Sequence, residues 1–295
     1  MDNNISSLVS VGWLSQHLDD SNLVLLDASW HMPTSGRNGA DEWQAKRIAN
    51  AQYFDFDQQI CDQQTDLPHM LPSEQTFTQA AQALGINSDS QIIIYDSSGI
   101  FSSPRAWWMF TAMGHKQCAV LNGGLPAWLA AGKELVTTTA SNQNKPLKTG
   151  DFIARKQENY IADANIVLEA TQTDSSIIID ARPSDRFQGK APEPRPGLAM
   201  GHMPSAVNIP FNILLNEGKM LPANNLKEIF TQTLTIDNAD ELIFSCGSGV
   251  TACIVALAAD LAGYSPSNHI NTRVYDGSWC EWGAQSELPV VQTSN

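Results

Sequence analysis

The feature that most constrains the fold of this 295-residue chain is an internal repeat. The segment NLVLLDASW at 22–30 resembles SSIIIDARP at 175–183, which places Asp27 and Asp180 153 residues apart. Three more pairs of similar segments follow in the same order at offsets of 150 to 155 residues: 49–57 with 204–212, 92–114 with 242–263, and 121–128 with 274–282. Such a repeat predicts two homologous halves, each large enough to form a domain.

Both halves carry short aliphatic runs that alternate with helical stretches. The runs lie at 23–26, 92–94, 177–179 and 242–244 and are apolar throughout, which is typical of strands covered on both faces. We therefore predict an α/β fold of two tandem domains, each a mainly parallel sheet flanked by helices on both faces. A polar segment without apolar periodicity separates the halves, so the predicted boundaries are 1–138, a linker at 139–158, and 159–295.

Charge and composition exclude several kinds of partner. The net charge of −14 argues against nucleic acid or an anionic membrane surface, since both would be repelled. The apolar run at 252–259 is far shorter than the roughly 20 residues that cross a bilayer, and the N-terminus lacks the pattern of an export signal. Five irregularly spaced cysteines form neither a disulfide framework nor a metal motif. We expect a cytoplasmic protein without a metal or an organic cofactor.

The loop CGSGVT at 246–251 is the strongest candidate for chemistry. Cys246 follows one of the aliphatic runs and precedes a helix predicted to begin near Val250. Gly247 and Gly249 would let the backbone N–H groups of the loop curl into an anion-binding nest, and the helix would add the positive end of its dipole. Both effects favour a thiolate, which makes Cys246 a candidate nucleophile.

Three chemistries use a thiolate in such a loop. A phosphatase of the C-x5-R type needs an arginine six residues after the cysteine, where this chain has Ala252. The signature of papain-like proteases is also missing, so sulfur transfer remains. The alternative role for a cysteine in a tight turn is structural, as a small buried side chain. We predict this structural role for Cys253 and Cys280.

Further motifs support a family resemblance. Besides CGSGVTA, they are DARPSDRFQGKAPEPRPGLAMGHMPSAVNIPFN, DLPHMLP, SPRAWWMF and LNGGLPAW. Together they resemble the rhodanese-like sulfurtransferases, and the loop is similar to that of the 3-mercaptopyruvate enzymes in particular. The resemblance implies two rhodanese domains with the nucleophile only in the second and the site at the domain interface. In the first half Asp96 stands where the repeat would place the cysteine.

The resemblance also implies the roles of individual residues. Arg186 and Arg195 match the arginines that bind the substrate carboxylate and carbonyl, and Asp57, His69 and Ser248 match a triad that would help activate the thiol. Loop residues that would line the substrate are Gly247, Gly249, Val250 and Thr251.

Two other residues of the same segment are expected to be structural. Arg182, directly after a strand, is interpreted as an ion-pair partner of a neighbouring carboxylate, and His202 resembles a histidine that braces a loop.

The charge of the loop indicates the sulfur donor. Thiosulfate-using relatives carry cationic residues after the cysteine, whereas this chain has Gly247 and Ser248. The sequence therefore predicts 3-mercaptopyruvate as donor, with pyruvate released and a Cys246 persulfide handing sulfur to cyanide, a thiol or thioredoxin. Thiosulfate:cyanide sulfur transfer and a non-catalytic rhodanese-like binding module are the alternatives. A monomer is expected, because the duplication already supplies two domains.

Overall fold

The computed structural model describes residues 5–137, 148–234 and 239–292. They divide into two compact units. The first comprises Met1–Asp62, Leu71–Gln157 and Glu217–Met220, and the second comprises Gln63–Met70, Glu158–Asn216 and Leu221–Asn295. Much of the predicted linker, 139–147, lies outside the described residues. Residues 148–157 belong to the first unit, where Gly150 donates its N–H to the Gln82 carbonyl at 2.9 Å.

The first unit is built on a five-stranded sheet in the order β1-β5-β4-β2-β3, and all four pairings are parallel. Its elements along the chain are β1 (Leu8–Val9), α1 (Val11–His17), β2 (Leu23–Asp27), α2 (Gly39–Ala45), β3 (Gln52–Tyr53), α3 (Glu74–Ala83), β4 (Gln91–Tyr95), α4 (Ser103–Ala112), β5 (Cys118–Leu121) and α5 (Gly124–Ala130).

The second unit repeats this plan with a five-stranded parallel sheet in the order β6-β12-β11-β7-β8. Its elements are β6 (Ile161–Ala162), α6 (Ala164–Ala170), β7 (Ser176–Asp180), α7 (Ser184–Phe187), β8 (Val207–Asn208), α8 (Ala223–Thr233), β11 (Glu241–Ser245), α9 (Ala252–Leu261), β12 (Asn271–Tyr275) and α10 (Ser278–Trp282). In the chain, β8 is followed by β9 (Leu215–Asn216) of this unit and by β10 (Lys219–Met220), which belongs to the first unit, before α8 begins.

The two sheets have the same strand order once β1, β2, β3, β4 and β5 are matched with β6, β7, β8, β11 and β12. The repeat seen in the sequence is therefore a repeat of topology, and the predicted α/β class with parallel sheets is confirmed. Asp27 and Asp180 end the matching strands β2 and β7. The central strands are β4 and β11, and each is followed directly by the residue singled out above, Asp96 or Cys246.

Burial explains why the strands read as apolar runs. Ile93 in β4 and Ile243 in β11 have no exposed surface, because helices cover both faces of each sheet. Helix α9 is apolar on every side, and its residues from Ala252 to Ala259 are all buried. Fully burying one aliphatic side chain of this kind contributes about 1.5–3 kcal/mol. The central strand and α9 thus give the loop between them a rigid base.

None of the helices within the described residues is long and apolar enough to span a bilayer.

Gly150 offers a test of close packing in the first unit. A Cβ at this position would overlap the backbone carbonyl of Ile86, so we expect Gly150→Ala to lower the stability by about 1–3 kcal/mol through overpacking. The matched control is Gly12→Ala near the start of α1, where the nearest atom to a new Cβ is Ser10 Oγ at 3.6 Å. Urea unfolding followed by circular dichroism should show a lower midpoint for the first variant only. Equal midpoints would contradict the contact.

Candidate active site

Cys246 lies at the carboxyl end of the central strand of the second sheet. Strand β11 pairs with β7 on one side and β12 on the other and ends at Ser245, one residue before the cysteine. The Cys246 N–H donates to Ser278 Oγ at 3.2 Å, and that hydroxyl donates to the Tyr275 carbonyl at 2.8 Å. Cys246 is only 1% exposed, so the groups packed around it, and not bulk solvent, determine the reactivity of its thiol.

The backbone of the loop agrees with the prediction in part. Gly249 has φ +76°, a left-handed conformation that other residues resist, but Gly247 is not among the glycines with positive φ. The Val250 carbonyl accepts a hydrogen bond from the Cys253 N–H at 3.2 Å, and the Thr251 carbonyl accepts one from the Ile254 N–H at 3.1 Å. These bonds form tight turns that span three residues, so helix α9 begins at Ala252, two residues later than predicted.

Helix α10 fastens the start of this loop. Trp279 donates its N–H to the Cys246 carbonyl at 3.0 Å, and Cys280 donates to the Gly247 carbonyl at 2.9 Å. The Trp279 ring belongs to the hydrophobic core of the second unit, together with Ile243 of β11. The position of the nucleophile candidate is therefore tied to that core.

The counterpart loop in the first unit holds an anion of its own. Asp96 Oδ1 accepts from the Ser98 N–H at 2.9 Å, and Oδ2 accepts from the N–H groups of Phe101, Ser102 and Ser103 at 2.9, 3.1 and 2.9 Å. The Ser103 hydroxyl adds a bond of 2.7 Å. The carboxylate thus sits in a nest of backbone amides of the kind predicted for the loop of the second half.

A chain of buried ion pairs lies beside the Cys246 loop. Arg182 donates from Nη2 to Asp180 Oδ2 at 2.7 Å and from Nη1 to Glu193 Oε1 at 2.7 Å, and its guanidinium stacks 4.0 Å from the centre of the Trp279 ring. The Arg182 side chain is 1% exposed. The predicted structural role of Arg182 as an ion-pair partner is confirmed.

Glu193 links Arg182 to Arg186, and the sequence analysis did not identify it as part of the site. Its Oε2 accepts from Arg186 Nε at 3.1 Å and from Arg186 Nη2, while Oε1 binds Arg182. Arg186 Nη2 is 3.4 Å from where a Cβ on Gly247 would lie, so the guanidinium rests against the loop. The only signal available was an acidic residue two positions before Arg195 in a proline-rich segment.

Arg195 and Cys280 complete the cluster of groups around the loop. Burial raises the pKa of the Cys280 thiol, and Cys246 and Glu193 add to this while Arg195 and Arg186 oppose it. All four groups are therefore close enough to Cys280 to act on it electrostatically. The cysteine loop is bordered by charged side chains, although Cys246 itself is buried.

His202 braces the helix that carries Arg186. Its Nδ1 is 2.7 Å from the Phe187 carbonyl, and its ring stacks on the Phe187 ring with centroids 3.9 Å apart. Its backbone pairs with Val291 on the C-terminal segment. The predicted bracing role is confirmed, and it holds Arg186 in place through the neighbouring residue.

The predicted triad residues lie in different parts of the chain. Ser248 and His69 are 7% and 3% exposed and belong to the second unit, and His69 has a positive φ of 65°. Asp57 belongs to the first unit and accepts from Gln58 Nε2 at 2.6 Å. Their joint action as a triad stays a prediction.

In the described part of the chain, no cluster of three or more histidine, cysteine, aspartate or glutamate side chains could hold a metal ion.

Comparisons with known proteins agree with the two-domain fold. The rhodanese-like domain family matches residues 10–131 and again residues 163–285. A mitochondrial thiosulfate/3-mercaptopyruvate sulfurtransferase of Arabidopsis thaliana is 37% identical over 96% of this chain and 77% of its own length. A 3-mercaptopyruvate sulfurtransferase of Escherichia coli K12 is 38% identical over 96% of either chain.

A solved structure gives the same result for the fold. The crystal structure of SseA from Escherichia coli, described as a 3-mercaptopyruvate sulfotransferase with the rhodanese fold, superposes with a TM-score of 0.80 at 35% identity, over 93% of this chain and 99% of that one. The resemblance inferred from the motifs is confirmed. The chain belongs to the rhodanese-like family and carries one such domain in each half.

Proposed function

We propose that this protein is a 3-mercaptopyruvate sulfurtransferase in which the second domain, 159–295, is catalytic. The observation that carries the proposal is the position of Cys246, directly after the central strand and in a loop against which the Arg186 guanidinium rests. The first domain, 1–138, has Asp96 at the matching position, and a carboxylate cannot serve as a sulfur nucleophile. The proposed linker is 139–158, of which 148–157 belong to the compact first unit.

The first half-reaction takes sulfur from the donor. The Cys246 thiolate attacks the thiol sulfur of 3-mercaptopyruvate, a sulfur–sulfur bond forms, and the carbon–sulfur bond breaks. The electron pair of the broken bond stays on carbon as the enolate of pyruvate, which takes up a proton. Ser248, with His69 and Asp57, would supply or relay that proton. A Cys246 persulfide remains.

The second half-reaction returns the thiolate. An acceptor nucleophile attacks the outer sulfur of the persulfide, and the electron pair of the sulfur–sulfur bond returns to Cys246. Cyanide, a small thiol or thioredoxin would serve as acceptor. Kinetics would be ping-pong if pyruvate leaves before the acceptor binds.

An anion at Cys246 would be stabilised by its loop. Asp96 in the first domain accepts four backbone N–H bonds from the loop that follows the matching strand. We propose that the amides of Gly247, Gly249, Val250 and Thr251, in the loop that follows β11, likewise donate to a thiolate, a persulfide or bound substrate.

The charge next to the loop favours a donor with a single negative charge. Asp180 and Glu193 both bind Arg182, and Glu193 also pairs with Arg186. Arg195 acts electrostatically on Cys280, which is bonded to the same loop. A guanidinium can bind one substrate carboxylate through a planar fork. Arg186 and Arg195 would bind the carboxylate and carbonyl oxygens of mercaptopyruvate.

Thiosulfate is the second candidate donor. The relative from Arabidopsis thaliana is named for both thiosulfate and 3-mercaptopyruvate. Thiosulfate is a dianion, and the loop of this chain has no cationic residue directly after Cys246. We therefore propose that thiosulfate is used, but poorly.

The proposed setting follows from the cysteines and the charge. None of the five cysteines, all of which the structure describes, forms a disulfide, which supports a reducing cytoplasm as the proposed setting. The small donor and acceptor are the proposed partners, and a monomer is sufficient for the reaction.

The proposal is tested by intact-mass spectrometry after mixing with 3-mercaptopyruvate. We expect one added sulfur on the wild type and on Cys253→Ser, because Cys253 lies inside α9 and is fully buried. Cys246→Ser should carry no adduct. If none of the three proteins gains sulfur, the chain is a rhodanese-like binding module and not an enzyme.

Donor preference provides a separate prediction. Steady-state kinetics with cyanide as acceptor should give a higher kcat/KM for 3-mercaptopyruvate than for thiosulfate, because the loop lacks the charge that a dianion requires. The reverse order would assign the protein as a thiosulfate sulfurtransferase.

Substitution of the two arginines provides a further prediction. Arg186→Gly and Arg195→Gly should each raise KM for 3-mercaptopyruvate much more than for thiosulfate, by the equivalent of about 1.5–3 kcal/mol for a lost charge-assisted hydrogen bond. The control is Arg155→Gly, which changes an exposed arginine in the first unit and should leave both KM values unchanged. Equal effects on both donors would rule out carboxylate binding by these arginines.

A further inference from the structure

Cys280 is a second thiol beside the loop that carries Cys246. Its N–H donates to the Gly247 carbonyl at 2.9 Å, and the N–H of the preceding Trp279 donates to the Cys246 carbonyl at 3.0 Å. With standard backbone dimensions, these two bonds keep the Cα atoms of the two cysteines within about 10 Å of each other. The contact is made by backbone atoms on a core-anchored helix, so it does not depend on a mobile side chain.

The surroundings of Cys280 are those of the site itself. Arg195, Arg186, Glu193 and Cys246 all act electrostatically on its thiol. Its side chain is 6% exposed, which keeps it from bulk solvent. Cys253 differs, because it lies within α9 and its thiol donates to the Gly249 carbonyl at 3.2 Å. Cys280 is thus a buried thiol next to the nucleophile and two cations.

We propose that Cys280 takes over the outer sulfur of the Cys246 persulfide and holds it as a second persulfide. This inference rests on the proposed function, since Cys246 must first be charged with sulfur. The Cys280 thiolate attacks the outer sulfur, a new sulfur–sulfur bond forms at Cys280, and the bond between the two sulfurs at Cys246 breaks. The electron pair returns to Cys246 as a thiolate. One persulfide and one thiolate become another such pair, so no oxidant or reductant is required.

Proximity and leaving-group chemistry favour this exchange. The two cysteines lie on segments joined by two backbone hydrogen bonds, and a persulfide places its outer sulfur about 2 Å, one sulfur–sulfur bond, beyond the Cys246 sulfur. A thiolate that is stabilised by its surroundings leaves readily in such exchanges, and the loop would stabilise the one at Cys246. Arg186 and Arg195 provide positive charge for the anion at either sulfur. The exchange would free Cys246 for a second donor molecule before an acceptor arrives.

Burial raises the pKa of Cys280, so the rate of the transfer depends on pH. The attacking species is the thiolate, and its fraction increases as pH rises toward that raised pKa. The charged and titratable groups acting on the thiol are Arg195, Cys246, Glu193 and Arg186. The rate of sulfur arrival at Cys280 should therefore increase with pH.

Peptide mapping tests the proposal. The protein is loaded with 3-mercaptopyruvate, alkylated before unfolding and digested with trypsin. Cleavage after Lys227 and Arg273 separates Cys246 and Cys253, on 228–273, from Cys280, on 274–295. A Cys253→Ser background leaves one cysteine on each peptide. We expect added sulfur first on 228–273 and then on 274–295, with the second step faster at higher pH.

Two variants control the order of transfer. Cys246→Ser should leave both peptides without added sulfur, and Cys280→Ser should keep the sulfur on 228–273. Loaded Cys280→Ser mixed with Cys246→Ser should not label the 274–295 peptide, because the transfer is within one chain.

The results that would overturn the proposal are distinct from those that would overturn the function. Sulfur that stays on 228–273 in the Cys253→Ser protein rejects the transfer while the sulfurtransferase activity stands. A disulfide between Cys246 and Cys280 with release of sulfide also rejects it, as does labelling of 274–295 in the mixed sample. Absence of sulfur from both peptides rejects the proposed function itself.

Discussion

The site depends on a buried chain of ion pairs in which Glu193 joins Arg182 to Arg186. Taking each of these charges out of water costs several kcal/mol, and the attraction between them offsets this only when the hydrogen bonds are complete. Here they are nearly complete, because Arg182 is bound by Asp180, Glu193 and the Gly201 carbonyl. Such a network contributes little to the stability of the fold, but it holds its side chains in fixed positions. It fixes a guanidinium beside a cysteine loop whose own backbone is bonded to α10.

The same strand–loop–helix unit is used twice with different outcomes. In the first domain the loop closes on the carboxylate of Asp96, an anion that belongs to the chain and cannot leave. In the second domain the matching residue is Cys246, the proposed sulfur nucleophile. The same architecture therefore places a structural carboxylate after one central strand and the proposed nucleophile after the other.

Much of this could be predicted from local patterns. Aliphatic runs identified strands β2, β4, β7 and β11 to within a residue at either end. The repeat predicted that the two sheets would share one topology. The position of Cys246 at a strand end followed from the same runs. The start of α9 was misplaced by two residues because the tight turns at Val250 and Thr251 depend on hydrogen bonds that have no sequence signature. Gly247 was assigned a special conformation that only Gly249 adopts.

By itself the sequence determined the fold class, the duplication and the identity of the nucleophile candidate, because periodicity and motif spacing are properties of neighbouring residues. The tertiary structure alone decided which charges meet. Glu193 is 11 residues from Arg182 and 7 from Arg186 in a segment without regular structure, and nothing local indicates that it is buried between them. Cys280 is 34 residues from Cys246, and only the docking of α10 on the loop makes them neighbours. Contacts of this kind arise from packing, since burial selects partners by distance in space and not along the chain.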